Sequence, residues 1–121
     1  VPMKHVLVVD DEVLAAMALR SFLQRKGYKV TLAHDAEDGF DRFITDSADV
    51  VVADWRMPGA TGGQMVEKLR ALRPALPVLF VTGYAPEVLP FVERATAPTA
   101  LLDKPVDPGV VIERLKTLLG G

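Results

Sequence analysis

Four short stretches of this 121-residue chain carry side chains that could do chemistry: the acidic run Asp10-Asp11-Glu12, the lone carboxylate Asp54 ahead of Trp55-Arg56-Met57-Pro58-Gly59, the hydroxyl of Thr82 before Gly83, and Lys104 before Pro105. Each has a plain structural role open to it. Asp54 can cap its turn, Asp10 or Asp11 can cap a helix, Thr82 can be a strand-end hydroxyl and Lys104 a solvated charge. Taken together they point further. Two carboxylates about 4 Å apart repel by roughly 4 kcal/mol at an effective dielectric of 20, so Asp10, Asp11 and Asp54 on one rim require a compensating cation. Oxygen ligands, with only His5 and His34 as imidazoles and no cysteine, favour magnesium over zinc. A divalent cation, the Lys104 ammonium and the Thr82 hydroxyl converging on one carboxylate is an arrangement for phosphoryl transfer, with Asp54 as nucleophile.

The elements around these stretches place them on one rim. Val50-Val51-Val52-Ala53 is a β-branched run that reads as a strand buried on both faces, and such strands belong to parallel sheets whose ligand sites lie beyond their carboxyl ends. Residues 5–9 read as the first strand, delivering Asp10 and Asp11. The sequence predicts a helix over 13–26, with Leu14, Met17, Ala18, Ser21, Phe22 and Arg25 as its stripe and Gly27 as its stop. Residues 29–33 alternate like an edge strand. Asp35 is placed to cap a helix over 36–46 that buries Phe40, Phe43 and Ile44. Thr61-Gly62-Gly63-Gln64 matches a capping box opening a helix that turns Met65, Val66, Leu69 and Leu72 inward and ends before Pro74. Residues 77–81 form a strand ending at Thr82-Gly83. The helix over 86–94 is expected to be short or mobile because Pro90 lacks a backbone donor. Residues 100–103 form the last strand, and Asp107-Pro108 opens a helix to about Leu119. Five strands alternating with five helices predict a doubly wound α/β domain.

Composition limits the alternatives. Half the residues are hydrophobic, a quarter are charged, and the net charge is -2 with an isoelectric point near 5.6. That leaves no electrostatic case for direct binding to nucleic acid or an anionic membrane. The absence of cysteine excludes disulfides and thiolate chemistry. No run has transmembrane length, and the N-terminus lacks a signal-peptide core; the expectation is a cytoplasmic chain in which Val1-Pro2 is a vector-derived lead before a native Met3. One domain is expected over 1–121, core about 4–119, with no effector domain.

Asp10-Asp11, Asp54 with Met57-Pro58 and Gly62, Thr82-Gly83 and Lys104-Pro105, taken in this order, closely resemble the receiver domain of bacterial two-component response regulators. The resemblance covers essentially the whole chain. It implies a flavodoxin-like five-stranded sheet in the order 2-1-3-4-5 and Asp54 as phosphoacceptor from a phosphohistidine on a sensor histidine kinase or histidine phosphotransfer protein. It also implies magnesium held by Asp11, Asp54 and the main-chain carbonyl of Arg56, with Asp10 assisting through water. Lys104 would bind phosphoryl oxygens, its bond to Pro105 would be cis, and Thr82 would close onto the phosphoryl group. An unknown downstream protein would read the change. Many receivers carry an aromatic residue where Leu101 stands, so the usual aromatic partner of the threonine switch is missing. Pro77-Val78-Leu79-Phe80-Val81-Thr82-Gly83-Tyr84 instead resembles a subgroup, many of whose members are single-domain regulators, marked by Pro-Phe-x-Phe-Ala-Thr-Gly-Tyr; Val78 and Val81 depart from that motif. Phe80 then reads as core and Tyr84 as a half-exposed loop aromatic that could take a switching role. Two rivals use part of the same set. A small phosphohydrolase working through an aspartyl-phosphate would want a second acid where Arg56 stands, and a degenerate receiver acting only as a docking module is opposed by the intact acidic set.

Overall fold

The structure, a computed structural model, describes residues 3–120; the expectation for Val1-Pro2 falls outside them. Five strands, β1 (His5–Val9), β2 (Lys29–Ala33), β3 (Val50–Ala53), β4 (Val78–Thr82) and β5 (Thr99–Asp103), alternate with five helices, α1 (Val13–Arg25), α2 (Ala36–Thr45), α3 (Gly62–Leu72), α4 (Ala85–Arg94) and α5 (Pro108–Leu118). The strands pair in parallel in the order β2-β1-β3-β4-β5. This is the flavodoxin-like, doubly wound arrangement, and its chain order reverses between β1 and β3, where a crevice opens at the strand ends.

The apolar strands explain the layering. Successive side chains point to opposite faces, so Leu7, Val9, Val51, Ala53, Val78 and Phe80 join one core with α2, α3 and α4. Val6, Val8, Val50, Val52, Leu79 and Val81 join the other with α1 and α5. The helix ends are fixed by the residues the sequence offers for them. Asp35 accepts from the Asp38 amide at 2.8 Å, Thr61 and Gln64 form both halves of a capping box, and Asp107 accepts from the Gly109 amide at 2.8 Å ahead of Pro108. Gly27 takes φ +94° after α1, a conformation glycine adopts without Cβ strain.

Helical faces depart from expectation in three places. α1 buries Ala16 and Leu23 and leaves Leu14, Met17 and Ala18 outward; the helix carries apolar residues on both sides, and the side with small Ala16 can lie close on Val8 in the core. In α2 the buried residues are Ala36, Gly39 and Phe43, with Phe40 beside them. Ile44 lies one step around from Phe43 and is exposed. Leu72, the last residue of α3, is exposed, and Leu76 from the following loop fills the end of that core. α4 is also longer than expected, a ten-residue helix that runs unbroken through Pro90. Pro90, sixth of its ten residues, removes one ladder bond in mid-helix, and the helix nevertheless continues to Arg94.

The orientation of α1 is testable by urea denaturation. Leu23→Ala should cost about 3 kcal/mol, while Leu14→Ala should change stability by less than about 0.5 kcal/mol; the opposite ranking would turn the helix over.

Candidate functional site

Strand register brings the chemical residues together. Val9 lies opposite Ala53, so Asp10 and Asp54 emerge on the same rung; the Asp54 amide donates to Val9 O and the Asp10 amide to Ala33 O, each at 3.0 Å. Thr82 lies opposite Asp103, and the next residue, Lys104, donates its amide to Thr82 O at 3.0 Å. The Lys104 side chain then reaches back across the strand ends. Its Nζ donates to Asp54 Oδ2 at 2.9 Å, Asp10 Oδ2 at 3.0 Å and Glu12 Oε1 at 2.9 Å, which uses all three ammonium protons. The Lys104–Pro105 peptide is cis.

Asp54 is only 6% exposed, and its other oxygen, Oδ1, accepts from the Trp55 amide at 2.6 Å. Asp10 Oδ1 accepts from the Glu12 amide at 2.9 Å, folding the loop so that the Glu12 carboxylate returns to Lys104. Burial works against the Lys104 charge, but hydrogen bonds to Asp54, Glu12 and Asp10 outweigh it and raise the ammonium well above its ordinary range. Burial raises Asp10, outweighing the Glu12 amide and Lys104. Three carboxylates against one ammonium leave two negative charges. Oxygens of Asp10, Glu12 and Asp54 lie within 4.8 Å of one another, an all-oxygen donor set that suits a hard divalent cation. Beside them a cavity of about 710 Å³ runs between α1 and Pro105-Val106.

The other expected residues fall at different distances from this cluster. Asp11 is exposed and outside the three-carboxylate group. Thr82 is fully buried, its hydroxyl accepting from the Tyr84 amide at 3.1 Å. Tyr84 is exposed, with the Arg56 guanidinium 4.0 Å over its ring. Leu101 is partly buried opposite Phe80, which is core as expected. Pro105 lines the cavity. Glu12 is the member that sequence reasoning left out, and the signal was its place two residues after Asp10, within one turn. The closeness of α3 was also missed: a Cβ on Gly62 would stand 2.1 Å from Asp54 O, and one on Gly63 2.4 Å from the Trp55 ring. Only glycine fits there.

The model of the response regulator receiver domain matches residues 6–116. The chain belongs to that family. The receiver is 30% identical over 117 residues to the sensory transduction protein RegX3 of Mycolicibacterium smegmatis, covering 97% of this chain and 51% of that protein. It is also 30% identical over 116 residues to the alkaline phosphatase synthesis transcriptional regulatory protein PhoP of Bacillus subtilis, covering 96% of this chain and 48% of that one. It thus spans about half the length of these curated relatives. Among solved structures, a CheY-like receiver domain protein from Methanospirillum hungatei matches at TM-score 0.90 and 31% identity, covering 98% of this chain and 94% of that one. CheY4 of Vibrio cholerae matches at 0.88 and 28%, covering 97% and 99%. The protein is therefore a receiver domain of the two-component type, and among its described residues no helix is long and apolar enough to cross a membrane.

The raised Asp10 has a consequence for stability. A carboxylate whose folded pKa exceeds its unfolded value weakens the fold as pH rises through that interval, and the penalty is complete above the folded pKa. Asp10→Asn should raise the thermal midpoint of the metal-free receiver at pH 7 by about 3 °C, and the gain should shrink as pH falls below the carboxylate range. A gain that stays constant down to pH 3 would dissociate it from Asp10 ionisation.

Proposed function

We propose that this receiver accepts a phosphoryl group on Asp54 from a phosphohistidine of a sensor histidine kinase or histidine phosphotransfer protein, and that the change is read by a downstream protein. The observation that carries this reading is the Lys104 ammonium bridging Asp54, Asp10 and Glu12 at the mouth of an open cavity. An Asp54 oxygen attacks phosphorus, an acyl phosphate P–O bond forms, and the P–N bond breaks with its electron pair leaving on the imidazole, which takes a proton. Lys104 offers its ammonium to the phosphoryl oxygens as charge redistributes. Thr82, at the end of β4, donates its hydroxyl proton to the phosphoryl group; the bond it accepts from the Tyr84 amide uses an oxygen lone pair and leaves that proton free.

Magnesium fits the oxygen-only donor set. Asp54, Asp11 and the Arg56 main-chain carbonyl would hold it, Asp10 would act through water, and the proximity of Glu12 to Asp10 and Asp54 makes it a further candidate. When bound, the cation neutralises negative charge on the phosphoryl oxygens. The domain, taken as one unit over 1–121, turns over no separate substrate and promotes its own phosphorylation in the cytoplasm. The phosphohydrolase alternative lacks its second acid, since the side chain two residues after Asp54 is Arg56, paired with Glu87. A docking-only module would have no use for the retained carboxylates around Lys104.

Intact mass after incubation with acetyl phosphate and magnesium should show one labile phosphoryl group on the wild type and none on Asp54→Asn; equal labelling would remove Asp54 as acceptor. Trp55, the one tryptophan, adjoins the site, and its fluorescence should follow magnesium binding. Asp11→Ala should weaken that titration at least about tenfold, and Glu12→Ala run beside it shows whether the second loop carboxylate shares the ion. Identical titrations for Asp11→Ala and wild type would take Asp11 out of the metal site.

A further inference from the structure

α1 carries apolar residues on two sides, and one side has no partner. Ala16 and Leu23 face the core, whereas Leu14 is 82% exposed, Val13 56% and Met17 41%. At 3.6 residues per turn, Leu14, Ala18, Ser21 and Arg25 follow one another along a single outward line with Met17 beside it, and all of them are exposed. Clustered exposed apolar residues mark a surface made for contact. The middle of the line is small, so another backbone can come close over Ala18 and Ser21. Its ends are charged and of opposite sign. Asp11 stands just ahead of the helix, and Arg25 and Lys26 close it, gathered over the Phe22 ring at 5.7 and 5.6 Å. Among the described residues, Asp11, Arg25 and Lys26 make no ion pair, while Lys29, Arg42, Arg56, Lys104 and Lys116 all do.

We infer that the outward line of α1 is a self-association face, on which a second copy of this chain lies with its own α1 antiparallel. A line that is acidic at one end, apolar and small in the middle and basic at the other is complementary to itself when turned end for end. About a two-fold axis over Ala18, Asp11 meets Arg25 and Lys26 of the second copy, and Leu14 comes over its Ser21 and Phe22. Each contact occurs twice, as an isologous interface requires. Parallel pairing would set like charges together at both ends and is disfavoured. Glu12 takes no part, since its carboxylate is held by Lys104. A single helix pair is a small interface, below about 1,200 Å² in total, so the association is transient and depends on concentration.

Sedimentation equilibrium of the metal-free chain, from low to high micromolar concentration, tests the pairing. The wild type should rise toward twice the monomer mass, and its affinity should fall as salt is raised, because the end pairs are exposed to screening. Leu14→Ser, an exposed change that spares the core, should weaken association about tenfold or more. The double variant Arg25→Glu/Lys26→Glu makes both ends of the line acidic, and Asp11→Lys makes both ends basic. Each of these should stay monomeric by itself, and an equimolar mixture of the two should regain the dimer. A mixture that stays monomeric overturns the antiparallel arrangement. A dimer that Leu14→Ser and the charge variants leave intact lies on another face and overturns the inference. So does a wild type that is monomeric throughout, which would leave the line to a partner of different sequence.

Discussion

The site depends on the contact of one ammonium with three carboxylates. Without Lys104, Asp10, Glu12 and Asp54 would repel one another across the mouth of a crevice where burial already opposes the charge on Asp10. With it, they are gathered but not neutralised, and the remaining negative charge on an all-oxygen set suits a hard cation. Under the proposed function, the same ammonium that holds the resting cluster would receive phosphoryl oxygens, so resting stability and reactivity would draw on one group. This explains why the lysine follows a strand directly: its backbone is locked by Thr82 O, leaving only the side chain to span the gap.

Backbone geometry does the rest of the positioning. Parallel pairing sets Asp10 and Asp54 on adjacent strands at one level, and the glycine pair at the start of α3 lets that helix press against the Asp54 peptide. A side chain at Gly62 would have to displace the main chain of Asp54 itself. The site is therefore held by main chain and strand register.

What the sequence made legible follows from how local the determining physics is. The β3 run, the Thr61/Gln64 box, Asp35, Asp107-Pro108 and Gly27 each act within a few residues, and the structure forms each of them as read. The fold followed from their order. Which side of α1 is buried was not legible, because Leu14 and Met17 compete with Leu19 and Leu23 and only the neighbouring sheet decides between them. Ile44 and Leu72 failed for a related reason: apolar type says nothing about whether a partner lies across from the last turn of a helix. Asp10, Asp54 and Lys104 could be assembled from strand ends, whereas Glu12 needed the loop closure made by its own amide on Asp10. The rings of Trp55, Phe80 and Phe91 meet edge-on with centroids 5.4, 5.6 and 5.5 Å apart, drawn from the loop after β3, from β4 and from α4, and nothing in their spacing announces it.

The outer strands bear on how the domain behaves among copies of itself. β2 forms one margin of the sheet and β5 the other, and an unpaired margin is a template on which a second chain can add a strand. β2 opens with Lys29, whose ammonium pairs with Asp46, so an incoming strand would meet a fixed charge at its first rung. At the β5 margin Arg70 holds Pro98 O and the Thr99 hydroxyl, crowding the corresponding start of that strand. Both margins are blunted at the end remote from Asp54. Intermolecular strand pairing is thereby discouraged without any element of the reactive rim being used to prevent it, which leaves the chemistry free to face a partner while the sheet stays closed to its own kind.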